Sequence, residues 1–311
     1  MWKDKFPKDN IYFETNNGIL YCANVFDILP KFPNESIDCV VTSPPYWSLR
    51  YYGVKEQIGL ELTFQEYLEK LWKIFDEIYR ILKPTGTLWV NLGDTYSGSG
   101  KGAGYNGKSK ESWRFKKKPK IKEKLPAKCL CLIPARFAIG MIDRGWILRN
   151  EIIWYKPNAM PESVKDRFTV DFEKIFLFVK KRRYYFKQIL EPYASKPKTE
   201  KRKHKYRDAG LISYREVLNF YTKGGRNKRA VWVINNKPCK EAHFAVFPPE
   251  IPEICIMAGC PENGIVLDIF MGSGTTAVIA ENLKRRWIGI EINQEYCEIA
   301  QNRILKDCYN A

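Results

Sequence analysis

The stretch from Ile265 to Glu291 admits few folds. Ile265-Val-Leu-Asp-Ile-Phe270 is an apolar run of strand length, and Met271-Gly-Ser-Gly-Thr-Thr276 is a tight glycine turn. Ala277 to Leu283 reads as a helix, and Trp287 to Glu291 as a second strand that ends in an acid. Strand, glycine turn, helix and strand make half of a nucleotide-binding α/β fold, whose ligands sit beyond the carboxyl ends of parallel strands. Gly272 and Gly274 do not complete a G-x-G-x-x-G fingerprint, and no Gly-Lys-Ser/Thr follows to make a P-loop. The context says more than the letters. Glu291 falls about twenty residues on, where an acid can accept hydrogen bonds from ribose hydroxyls. Glycine lets a backbone approach a ligand closely, and a helix N-terminus offers N–H groups to a carboxylate. NAD, ATP and S-adenosylmethionine all remain open on these residues, as does a plain βα turn with a surface Glu.

A second strand end lies far upstream. Cys39-Val-Val-Thr42 reads as a buried parallel strand that delivers Ser43-Pro-Pro-Tyr-Trp47. Two prolines fix φ and keep the residues before them extended, giving a stiff loop with one small hydroxyl and two aromatics. Such a loop suits a planar nucleobase with an exocyclic amine; an ordinary Pro-Pro loop with core aromatics is the plain alternative. Thr63-Phe-Gln-Glu66 is a capping box, and Phe64, Tyr67, Leu68, Leu71, Phe75, Ile78, Tyr79 and Leu82 recur at helical spacing down to Lys83-Pro84. A strand follows from Thr87 to Leu92, closing a β–α–β unit. Asp94, just after it in Asn91-Leu-Gly-Asp94, either lines the pocket or forms a turn. Further on, Leu130 to Arg144 reads as a helix, and Trp146 to Tyr155 with Lys174 to Lys180 as a hairpin joined through 157–171. Pro248 to Ala258 and Asn293 to Ile304 read as helices. Between Lys181 and Lys240 the sheet pattern is lost.

Charge narrows the partner. With 52 Lys and Arg against 35 Asp and Glu in 311 residues the formal net charge is +17, which calls for an acidic polymer. An aromatic content of 14% separates this chain from a disordered basic tail. Residues 93–127 begin glycine-rich and turn basic, with Trp113 and Phe115 among the positive charges, and read as a mobile nucleic-acid-contacting loop in which Arg114 and Lys117 are candidates. Residues 183–227 are again basic and tyrosine-bearing, and offer Lys203, Arg207 and Arg226. The nine cysteines lack a disulfide pattern and show no paired CxxC unit, so neither a disulfide framework nor a metal site is expected. A charged N-terminus without an apolar h-region, and no long apolar run, point to a cytoplasmic protein away from membranes.

Taken together, Asp268-Ile-Phe-Met-Gly-Ser-Gly-Thr-Thr276 and Thr42-Ser-Pro-Pro-Tyr-Trp47 closely resemble the DNA amino-methyltransferases. The catalytic loop precedes the cofactor loop, which resembles the permuted β group of that family. Ser43, with Trp47 after Tyr46, resembles its N4-cytosine members; many N6-adenine enzymes have Asp there. Arg149-Asn-Glu-Ile-Ile-Trp-Tyr-Lys-Pro157 and His243-Phe-Ala-Val-Phe-Pro-Pro249 match as well, and the likeness spans roughly 18–182 and 228–305.

The resemblance implies a Rossmann-like α/β methyltransferase sheet with circularly permuted motif order and a basic target-recognition insertion. Residues 1–182 would be the catalytic half, with its loop at 42–47, residues 183–227 the target-recognition region, and residues 228–311 the cofactor half. It implies S-adenosylmethionine as cofactor, double-stranded DNA as substrate and a companion restriction endonuclease as a functional partner. Ser43, Pro44, Pro45 and Tyr46 would be catalytic. Asn24, Asp268, Phe270, Gly272, Gly274, Thr275 and Glu291 would bind the cofactor; Asn24 stands where the family often has an Asp. Trp47 would touch DNA or support the loop. N6-adenine transfer remains a rival, and RNA modification a further one. C5-cytosine transfer would need a nucleophilic cysteine, and Cys239 after Pro238 is delivered by no apolar strand. A DNA-binding module without catalysis is the alternative from another class.

Overall fold

The computed structural model describes residues 2–49, 52–54, 56–98, 125–192, 225–237 and 247–309. In chain order the strands are β1 (Ile11–Glu14), β2 (Gly18–Cys22), β3 (Ile37–Thr42), β4 (Leu82–Leu92), β5 (Ile147–Tyr155), β6 (Phe172–Val179), β7 (Leu190–Glu191), β8 (Arg226–Asn227), β9 (Val231–Val233), β10 (Ile265–Asp268) and β11 (Arg286–Glu291). The helices are α1 (Val25–Ile28), α2 (Phe64–Ile81), α3 (Ile133–Asp143), α4 (Glu250–Gly259), α5 (Thr275–Asn282) and α6 (Gln294–Tyr309). Nine strands form one sheet in the order β1-β2-β11-β10-β3-β4-β6-β5-β9, while β7 and β8 pair separately.

Strands buried on both faces need cover on both sides. All six residues of β3 are buried, with Val40 turned to one core and Cys39 and Val41 to the other. The first core gathers Ile19, Tyr21, Ile288 and Ile290 beneath α2 and α3. The second gathers Leu20, Val266 and Trp287 beneath α4, α5 and α6. The result is a three-layer α/β/α sandwich. Both ends of the sequence contribute to its middle: β10 lies between β11 and β3, parallel to each.

The central β–α–β unit forms as its sequence predicts. Thr63 Oγ1 accepts from Glu66 N at 3.2 Å and Glu66 returns a carboxylate to Thr63 N at 3.3 Å. From there α2 buries Phe64, Tyr67, Leu68, Leu71, Ile74, Phe75, Ile78 and Ile81. The predicted hairpin is present as antiparallel β5 and β6.

Two expectations change. β4 begins at Leu82, not Thr87, because Leu82 already pairs with Ile37 and a register break before Cys39↔Thr87 accommodates Pro84. The region expected to lack sheet supplies β9, which adds to β5 in parallel as an edge strand. Only Trp232 of its three residues points inward, too few to show a period in the sequence.

Replacing Thr63 by Ala removes one cap bond and frees the N-terminus of α2, the longest of the described helices. A loss of about 1 kcal/mol is expected, read as a lower urea midpoint at unchanged slope.

Candidate active site

Chain direction places the candidate residues on one edge of the sheet. β2, β11, β10, β3 and β4 run parallel, so Cys22, Glu291, Asp268, Thr42 and Leu92 all end there. β6 runs against β4 with Lys174 opposite Leu92, and Tyr155 of β5 lies opposite Phe172, so the β5–β6 connection shares that edge. The chain leaves β10 towards β11 on one side and β3 towards β4 on the other. Between them is a topological switch point, where open α/β sheets bind ligands.

The glycine loop opens at this point. Gly272 and Gly274 have φ of +53° and +81°, values glycine adopts without strain. A Cβ at Gly274 would meet Ala300 of α6 at 3.0 Å, whereas at Gly272 the nearest atom would be Phe270 O at 4.0 Å. One glycine is packed against a helix; the other faces open space. Buried Asp268 accepts from Thr42 Oγ1 at 2.7 Å, from Thr276 Oγ1 at 2.6 Å and from Phe270 N at 3.1 Å. Burial nevertheless pushes its carboxyl up to about 6. Glu291 accepts from Gly272 N at 2.8 Å and from Asn293 N at 2.9 Å, and burial pushes it up to about 7. Thr275 is buried, with its hydroxyl engaged by Arg303 at 2.9 Å, and Phe270 is half-buried beside the loop. Asn24 caps α1 by accepting from Phe26 N at 3.0 Å, next to Ala23, whose N–H donates to Glu291 O at 2.9 Å.

On the other side, the Ser43–Trp47 loop is braced from α2 and its approach. Pro45 O accepts from the Tyr67 hydroxyl at 2.9 Å, and the Trp47 indole donates to Glu61 O at 3.0 Å. Trp47 is 2% exposed and stands edge-on to Phe64. The indole thus ties the loop to the chain that enters α2. Asp94 accepts from Thr95 N at 2.8 Å and from Ile133 N at 3.1 Å, so it caps α3 from a distance.

A polar cluster holds the side chains of Ser43 and Tyr46. Ser43 Oγ lies 3.3 Å from Asn91 Oδ1, and the Tyr46 hydroxyl 3.1 Å from the same oxygen. Tyr46 also hydrogen-bonds Glu173 Oε2, and Lys156 pairs with Glu173 Oε1. Asn91 Nδ2 donates to Glu173 Oε2 at 3.1 Å and to Lys174 O at 3.2 Å. Burial, and then the charge of Glu173, push the Tyr46 phenol well above its ordinary value, so it keeps its proton.

Sequence reasoning did not single out Asn91, Lys156 or Glu173 as site residues. Two of them lay inside stretches it quoted, but Glu173 did not. Its available signal was a carboxylate two residues into a strand whose last five residues, Ile175 to Val179, are apolar. Among the expected DNA contacts, Arg114, Lys117, Lys203 and Arg207 lie outside the described residues, as do Trp113, Phe115, residues 193–224 and most of the His243–Pro249 stretch. Arg226 pairs at 2.9 Å with Glu191, which also takes Arg229 at 2.8 Å. Among the described residues no group of three His, Cys, Asp or Glu side chains could hold a metal ion, and no helix is long and apolar enough to cross a membrane.

Comparison with known proteins adds to this geometry. A family described as DNA methylase matches residues 37–302. The Type II methyltransferase M.Cfr9I of Citrobacter freundii is 40% identical over 292 residues, covering 94% of this chain and 89% of that protein. M.SmaI, a Type II methyltransferase of Serratia marcescens, is 41% identical over 275 residues, covering 88% and 86%. Among solved structures, the PvuII DNA methyltransferase (cytosine-N4-specific) superimposes with a TM-score of 0.65 at 21% identity, over 96% of both chains. A Thermus thermophilus protein solved with S-adenosyl-L-methionine gives 0.57 at 21%, over 94% of this chain and 95% of that one. At such identities the two structures speak for the fold: a Rossmann-like methyltransferase sheet.

The raised carboxyl of Glu291 has a definite sign. Unfolded, it would titrate at about 4.3, and folded at about 7. Between these values the native state holds a proton that the unfolded chain has released, so this group's contribution to stability falls as pH rises through the interval. Glu291→Gln should therefore gain stability relative to wild type between pH 5 and pH 8 in urea titrations. A constant difference across that range would contradict the assignment.

Proposed function

The chain belongs to the DNA methylase family, and we propose that it transfers a methyl group from S-adenosylmethionine to the exocyclic N4 of cytosine in double-stranded DNA. The observation that carries this reading is the pairing of two loops across one switch point. A glycine turn with a carboxylate behind it stands beside a Ser-Pro-Pro-Tyr loop whose hydroxyl is oriented by Asn91. The order of the two loops supports membership of the permuted β group. The names of the relatives support a place in a restriction-modification system with a companion endonuclease, and residues 183–227 are the proposed target-recognition region.

The residues present fit the cofactor. The backbone at Gly272 leaves open space where a side chain would stand. Each Glu291 oxygen keeps a lone pair beyond its backbone bond and can accept from a ribose hydroxyl. The Phe270 ring and the Asn24 side chain would flank the adenine. Asp268 and Thr275, engaged from behind, would shape the loop. When bound, S-adenosylmethionine supplies an electrophilic methyl group on a cationic sulfur.

Ser43 and the Pro44 carbonyl accept from the two N–H bonds of a cytosine amine. That withdraws its lone pair from the ring and directs it across the switch point. Tyr46, anchored at its hydroxyl, gives the extruded base a stacking face, against an unstacking cost of a few kcal/mol. Pro45 stiffens the turn and is held by Tyr67. Catalysis is chiefly positioning.

Tritiated-methyl transfer to DNA followed by nucleoside analysis should return N4-methylcytosine. N6-methyladenine would overturn the choice of base, and no incorporation alongside retained DNA binding would favour a non-catalytic module. Ser43→Ala should lower the single-turnover rate on the order of a hundredfold while leaving cofactor affinity unchanged.

A further inference from the structure

The cluster beside Ser43 does more than fill space. Glu173 is the second residue of β6, on the site edge, with its side chain 18% exposed. Its Oε2 takes the Tyr46 hydroxyl and Asn91 Nδ2, and its Oε1 takes Lys156. Asn91 is 4% exposed and gives its amide group to two partners, Glu173 Oε2 and Lys174 O.

Both of those partners can only accept, so the Asn91 amide has one permitted orientation and its Oδ1 faces the catalytic loop. Two hydroxyls lie near that oxygen, at 3.3 Å for Ser43 and 3.1 Å for Tyr46. Tyr46 has a single proton, and a carboxylate is the stronger acceptor. The proton that reaches Asn91 therefore comes from Ser43. Once Ser43 donates inward, its outward-facing lone pairs are acceptors.

We propose that Glu173, neutralised by Lys156, is a positioning residue that sets the hydrogen-bond polarity of the catalytic loop. Through Asn91 it makes Ser43 an acceptor for the target amine, and through the Tyr46 hydroxyl it fixes the stacking ring. This rests on the proposed role of Ser43 towards an exocyclic amine. It goes beyond that role by naming what makes the hydroxyl accept: a side chain on a different strand, which itself touches neither substrate nor cofactor.

Glu173→Gln keeps the shape and loses the constraint. A glutamine can turn its own amide towards Asn91, leaving Lys174 O alone to oppose rotation, so the rotated Asn91 amide, which donates to Ser43 and points the Ser43 proton at the substrate, becomes populated. Turnover should fall about tenfold or more, with KM for DNA and Kd for S-adenosylmethionine within about threefold of wild type. The double variant Asn91→Asp with Glu173→Gln exchanges the two groups. The aspartate it introduces can only accept, from Ser43 and from the new amide, at the expense of the bond to Lys174 O, so turnover should rise about threefold or more above that of Glu173→Gln without reaching wild type. A Glu173→Gln enzyme with wild-type turnover overturns the proposal, as does a double variant no faster than Glu173→Gln.

Unchanged cofactor affinity reports that the single variant is folded. Should that variant not fold, Asn91→Leu serves instead: it removes the link and must lower turnover at unchanged cofactor Kd, and wild-type turnover there overturns the proposal equally. All ratios are taken on whichever base the wild type methylates. An adenine product thus removes the cytosine reading without altering this outcome.

Discussion

Asp268 accepts from the hydroxyl that ends β3, from the hydroxyl in the first turn of α5 and from the Phe270 N–H just before the glycine loop. Three donors converge on a carboxylate that is 1% exposed, and burying it without them would be costly. The bond to Thr42 is the one on which the site depends, because it fastens the strand leading to Ser43 to the strand leading to Gly272. On the proposed reading the amine and the methyl group meet between these two loops, and a fixed separation is the main thing a protein can supply to such a reaction. Glu291 repeats the device one strand over, each of its oxygens holding a backbone N–H at the base of the loop.

Much of this was legible from local sequence. The capping box at Thr63, the period of α2 and the strand–glycine–helix–strand order each follow from chain-local physics, and each formed where expected. The two loops could be recognised as partners because each carries an unusual local composition. What escaped was long-range. Glu173 matters through contacts with residues 127 and 82 positions away, which no periodicity records. β9 was missed because three residues on a sheet edge leave no pattern, and Leu82 because a proline beside it reads locally as a stop. Arg226 is a further case: a basic stretch alone suggested it, and its ion pair with Glu191 on the neighbouring strand left no local signal.

Charge and chemistry occupy different parts of the chain. Among the described residues beside Ser43, Lys156 is paired with Glu173, so on the proposed reading the target base meets oriented dipoles there. The sequence concentrates its excess of Lys and Arg in the basic segments after β4 and before β8. An enzyme that holds a polyanion and reacts with a neutral amine benefits from that division: long-range attraction brings the duplex in, and short-range polarity chooses the atom.

The bond between Thr42 and Asp268 also spans 226 positions of sequence. During synthesis β3 and β4 emerge early, yet the parallel neighbour that covers the open side of β3 arrives only near the far end of the chain. Until then the nascent protein carries a fully buried-type strand with an unpaired edge, the kind of surface that recruits chaperones or other chains. An order of segments that suits the finished enzyme thus lets β3, β4, β6, β5 and β9 pair first, while the strands on the other side of β3 join only through the 4 residues of β10.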